Sequence, residues 1–207
     1  MRRVVVGVFA IALLAPNLSR VDAQGNTLSF FITSTNAGKG GDLGGLAGAD
    51  AHCAALAKAA GAGNRQWRAY LSTATVHAKD RIGAGPWFNA KGVQVAANVA
   101  DLHSDTNKLS KENSLTEKGA VVNGRGDKPN QHDILTGSNL DGTSSGLTCN
   151  NWTSSGDDAT ATVGHHDRQG GGTNPTSWHS AHASKGCGID ALRGSGGEAY
   201  FYCFAAK

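Results

Sequence analysis

The residues best suited to chemistry lie late in the chain, in "VGHHDRQGGGTNPTSWHSAH" (163–182), which holds half of the eight histidines. His165, His166 and Asp167 are contiguous, and His179 and His182 stand three apart. Neutral imidazoles with a carboxylate are the ligand types zinc takes, three or four at a time. The hydrolytic zinc motif needs a Glu beside its first His as general base. Here position 180 is Ser, and the three glutamates, Glu112, Glu117 and Glu198, all lie outside the window. Two readings remain. The window is a zinc site without a catalytic base, drawing on His165, His166, Asp167, His179 and His182, or a loop whose imidazoles satisfy backbone groups. The spacing favours the loop.

Other candidates are weaker. "GTSSG" (142–146) matches the nucleophile pattern G-x-S-x-G in letters only, because no apolar strand leads in and no helical pattern follows. "RGD" (125–127) sits in a turn-rich stretch where opposite charges could face a receptor. Asp141, Asp157 and Asp158 offer hard oxygens for calcium, but without the register or closing Glu of an EF-hand loop. Trp152 and Trp178 lie in loop segments beside polar residues, where an exposed indole can stack on a sugar ring. The candidate ligand-contacting residues are therefore Asp141, Trp152, His165, His166, Asp167, Trp178, His179 and His182.

Such side chains need a frame. "MRRVVVGVFAIALLAPNLSRVDA" (1–23) has the basic start, short apolar run and small-residue end of a secretory signal peptide. Removing it takes away three arginines and one aspartate, so the formal charge of +3 falls to about +1 and carries no argument for nucleic-acid binding. No other long apolar segment remains, so no retained membrane segment is expected. Residues 24–207 suit one domain, rich in glycine and small polar residues and with long loops.

Four cysteines in an exported chain can staple such a domain. Cys53 lies on a helical apolar stripe with Ala49, Leu56, Ala57 and Ala60, and Gly61 stops the helix. Cys203 alternates with Ala199, Phe201 and Ala205 on a strand face. Cys149 and Cys187 sit among turn formers. The expected pairs are Cys53–Cys203 and Cys149–Cys187, one nested in the other. Strands are expected in "LSFFITST", "RQWRAYLST", "HDILTGS", "CNNWTS" and "GGEAYFYCFA", with a short helix in "VHAKDRIG".

In order and content, "GADAHC", "WRAYLST", "TCNNWTS" and "FYCF" resemble bacterial secreted proteins with a C-type lectin-like, endostatin-like domain. The resemblance spans residues 24–207. It implies an α+β fold with one main helix, a small twisted antiparallel sheet, long loops and two nested disulfides. It also implies a binding module. Such a module recognises a glycan or another extracellular polymer, matrix or envelope component. With the leader, and with no arrangement of nucleophile, base and oxyanion donors legible, a monomeric, non-catalytic protein that is secreted, periplasmic or at the cell surface is expected. A structural envelope or adhesion protein is a further alternative. The chain departs at the calcium triplets of sugar-binding members: "KPN" (128–130) has Lys128 where a carboxylate would stand, and "NNW" (150–152) is not the second triplet. A cation in a ligand's place disfavours calcium there. No cofactor is expected to be required; zinc or calcium are the ions the residues could hold.

Overall fold

The computed structural model describes Met1 and residues 27–206; residues 2–26, nearly all of the expected leader included, and Lys207 lie outside the described residues. The architecture is α+β and centres on the last strand. β8 (Gly197–Ala206) takes β1 (Phe30–Ile32) antiparallel along one edge, with Phe30 opposite Phe204 and Ile32 opposite Tyr202. Its other edge is shared by antiparallel β2 (Gln66–Ala69) and parallel β5 (Asp133–Leu135). The sheet continues through β6 (Thr162–His165) to β7 (His182–Ala183). β3 (Trp87–Phe88) and β4 (Gln94–Ala96) form a separate ribbon. Among the described residues no helix is long and apolar enough to cross a membrane.

The alternation along β8 serves two cores. Phe201, Cys203 and Ala205 pack with Trp67, Ala69 and Leu71 under helix α1 (Gly45–Ala59), while Tyr202 and Phe204 join Phe30, Tyr70, Trp87 and Trp178 on the opposite face. A strand with period-two side chains needs apolar residues at nearly every position once both faces are covered, as "AYFYCFA" has. On α1 the fully buried stripe is Ala49, Cys53 and Ala57, with Leu56 and Ala60 at its margin. Asp50 on the same helix accepts from the Ala69 amide and pairs with Arg68 and Arg81, so this buried charge is compensated.

The disulfides are Cys53–Cys203 and Cys149–Cys187, with Cα atoms 5.6 and 5.7 Å apart. The first ties α1 to the central strand. The second holds a segment expected as a strand, which folds otherwise. Cys149, Asn150, Asn151 and Trp152 have φ between 48° and 67° and make one left-handed turn. Such backbone costs roughly 1–2 kcal/mol per residue. It is held by the Cys149 crosslink, by Thr148 Oγ1 accepting from the Asn151 amide, and by the Trp152 Nε1–H bond to the Ser72 carbonyl at 2.7 Å. The expected helix in "VHAKDRIG" is a single 3-10 turn, Ala78–Asp80, and a helix not expected from the sequence, Ile189–Ser195, leads into β8.

Candidate metal centre

Three adjacent strand ends bring imidazoles and a carboxylate together. β5 starts on Asp133, with His132 just before it; β6 ends on His165, directly opposite Asp133 in the antiparallel register; β7 starts on His182. The Asp133 Oδ1 lies 3.2 Å from His132 Nε2, 3.3 Å from His165 Nε2 and 3.6 Å from His182 Nε2. His165 and His182 bring their Nε2 atoms to 3.0 Å. His132, Asp133 and His165 are buried, and His182 is partly exposed.

The far side of each ring fixes its chemistry. His132 Nδ1 donates to the Gln169 carbonyl at 3.0 Å, His165 Nδ1 to the Pro175 carbonyl at 2.7 Å, and His182 Nδ1 to the Ala183 carbonyl at 2.9 Å. A carbonyl only accepts, so each Nδ1 carries a proton and each Nε2 is the ring atom turned toward Asp133, offering a lone pair wherever the ring is neutral. Neither oxygen of the buried Asp133 carboxylate receives an aligned hydrogen bond from the protein. Nε2 lone pairs and a carboxylate facing one another repel unless a proton or a metal cation lies between them. His132, Asp133 and His165 bring one ligand atom each to within 4.8 Å of one another, and His182 Nε2 stands beside this group, 3.6 Å from Asp133 Oδ1 and 3.0 Å from His165 Nε2. Ligands about 2.0–2.1 Å from a zinc ion stand about 3.3 Å apart in a tetrahedron. Backbone carbonyls orienting metal-binding imidazoles are the usual outer shell of such sites.

Glycines make room for these rings. A Cβ on Gly170 would stand 2.2 Å from His165 Cε1, and one on Gly172 would stand 2.9 Å from His182 Cδ2. Across the sheet, a Cβ on Gly196 would meet His132 Nε2 at 3.0 Å. All three have positive φ, so glycine is required there for conformation as well as space.

The residues singled out from the sequence divide. His165 and His182 join the centre. Asp167 stands behind it: its Oδ1 lies 3.4 Å from His132 Nδ1, and its carboxylate accepts the Arg125 and Gln169 amides. Burial alone would raise its pKa, but these hydrogen bonds win and hold it well below the usual carboxylate range. Burial also opposes charge on His165, and the Asp133 carboxylate and Pro175 carbonyl outweigh it, so its pKa is raised. His166 points elsewhere, donating from Nε2 to the Asn123 carbonyl, and burial lowers its pKa. His179 donates to the Leu140 carbonyl, and burial beside His103 pushes its pKa down to about 3, so it stays neutral.

The expectation of exposed tryptophans is corrected. Trp152 and Trp178 are 0% and 2% exposed, and both indole N–H groups bond to internal carbonyls, because a domain short of large residues uses their area inside. Asp141 is exposed and occupied with its own turn, accepting from Thr143. Asp157 likewise accepts the Gly188 amide. In the RGD segment Arg125 is exposed, and the Asp127 carboxylate accepts from the Gly124 amide and pairs with Lys111, so it is engaged within its own turn.

Sequence reading missed His132 and Asp133, which lie about thirty residues upstream in a stretch taken only as a strand. A usable signal was the "HD" that opens the strand candidate "HDILTGS", which repeats the His-Asp pairing of "HHD" in the histidine window. No protein-family model matches the chain and no curated protein is significantly similar to it, so function is argued from this geometry.

Proposed function

We propose that this chain is an exported, non-catalytic recognition domain of C-type lectin-like type, built around a structural zinc centre held by His132, Asp133, His165 and His182. The observation that carries the zinc assignment is the convergence of three Nε2 lone pairs on one unbonded buried carboxylate. Nitrogen-rich donors suit zinc and not calcium, which wants six or more oxygens. Four protein ligands make a closed site, and a catalytic zinc needs an open position for water or substrate; the centre therefore acts as a brace. It would tie β5, β6 and β7 at the point where the long 166–181 segment leaves the sheet. Nested crosslinks, one main helix against a C-terminal strand, and long loops support the wider class. Export and an extracellular glycan, polymer or protein partner belong to the same reading, as does a monomeric state.

The test is elemental analysis of mature, disulfide-intact protein purified without a histidine tag and then dialysed against trace zinc. One zinc per chain is expected. His165→Ala and Asp133→Asn should lose it, whereas His166→Gln and His179→Gln, which alter imidazoles outside the centre, should retain it. Protein that takes up no stoichiometric metal, or takes it up equally after both ligand substitutions, overturns the assignment.

A further inference from the structure

A second feature, separate from the metal centre, involves Arg168. Its guanidinium donates to three uncharged acceptors, the Leu109 and Thr176 carbonyls and Asn107 Oδ1. Five N–H groups less three bonds leaves two without an assigned acceptor. The side chain is half-buried, and among the described residues it makes no ion pair with a carboxylate. A cation withdrawn from water without a counter-ion is costly. The backbone is also strained to hold it: Arg168 has φ 58°, a conformation a branched or long side chain seldom adopts.

This guanidinium lines a pocket of about 440 Å3, within the range of small-molecule sites. Its lining includes the buried Trp178 and His179, the half-buried His103, and the exposed Thr173 and Thr176. Its imidazoles can only be neutral or cationic, and burial lowers the pKa of both His179 and His103, whose Nε2 meets the Tyr70 hydroxyl at 2.7 Å. They favour the neutral form and leave Arg168 as the pocket's cation. Asp105 on the rim is exposed and acts on Arg168 through space only. The pocket thus offers a partly desolvated positive charge, hydroxyl-bearing residues and an indole, with the Asp105 carboxylate at its exposed rim.

We infer that this pocket binds a small molecule through an anionic oxygen group, a carboxylate or a phosphate, that completes the coordination of Arg168. The inference does not depend on the metal, although the Pro175 carbonyl that orients His165 belongs to the pocket wall.

The experiment uses three probes on one ring: glucose, glucuronate and glucose 6-phosphate. Each is titrated into zinc-supplemented, disulfide-intact protein and followed by calorimetry and amide chemical shifts. Charge-assisted bonds to a guanidinium should make one or both anions bind roughly tenfold or more tighter than glucose. Shifts should fall on residues 173–179, and the tighter anion names the source. Thr176→Glu places a carboxylate at the exposed pocket wall without removing the arginine. It should abolish the preference, and Arg168→Gln should do the same if it folds. Equal affinity for glucose and both anions, no binding of any probe at millimolar concentration, or an unchanged preference in Thr176→Glu overturns the inference.

Discussion

The interior beneath α1 and the interior at the ends of β5, β6 and β7 are built on opposite principles. Under α1, Trp67, Leu71 and Phe201 exclude water around a crosslink, and adding contact area adds stability whatever the local detail. At the strand ends, His132, Asp133 and His165 are buried beside the partly exposed His182, and burial of such polar groups is favourable only if the charges balance. The first interior is tolerant and the second is exacting. A small domain rich in glycine packs apolar side chains where it has large residues; on the proposal above, a bound cation takes that part where the loops leave none.

This contrast can be broken experimentally. The largest effect is expected from Cys53→Ala/Cys203→Ala, whose loop of 150 residues gives an upper figure of about 5 kcal/mol on the chain-entropy model. Denaturant midpoints should fall by a similar amount with zinc present or chelated, since this crosslink serves the apolar interior. Chelation comes next. Zinc at a thousandfold excess over Kd stabilises by about 4 kcal/mol, so a chelator should lower the melting temperature of the native chain and leave His165→Ala unmoved. Hydrogen exchange under the same chelation should speed up at 163–165 and 181–183 while the amides of 202–204 stay protected; uniform loss of protection would show that the two interiors are one cooperative unit.

Gly170→Ala sharpens the comparison further, because its methyl would press on the His165 ring. A cost of roughly 1–3 kcal/mol is expected, appearing as weaker zinc uptake in a titration, with melting of the chelated protein changed much less. The smallest effect belongs to Asp141→Ala, at an exposed turn outside both interiors; its stability should stay within about 0.5 kcal/mol of the native chain, zinc or no zinc.

Much of the frame was legible because it depends on short-range periodicity. The helical stripe through Ala49, Cys53 and Ala57 and the alternation of "AYFYCFA" are local patterns, and they carried the cysteine pairing with them. Where local pattern was overruled, a long-range constraint did it. "CNNWTS" reads as extended, yet a crosslink to Cys187 and an indole anchored on Ser72 hold it in a left-handed turn. Trp178 reads as a loop residue and is core, because Tyr70 and Tyr202 close around it.

The amino-acid order alone thus settled an α+β domain, its nested disulfides, its main helix and its closing strand, since each follows from neighbours a few residues apart or from the count of cysteines. It also marked the histidine window as chemically loaded. Which imidazoles act together was left to the tertiary structure. Asp133 faces His165 only through antiparallel registry, and His182 arrives from the next strand, while contiguous His166 is turned away. Side chains adjacent in a chain point apart on a strand, and those that meet are set by pairing across it; that is why spacing found two members of the cluster and registry supplied the other two.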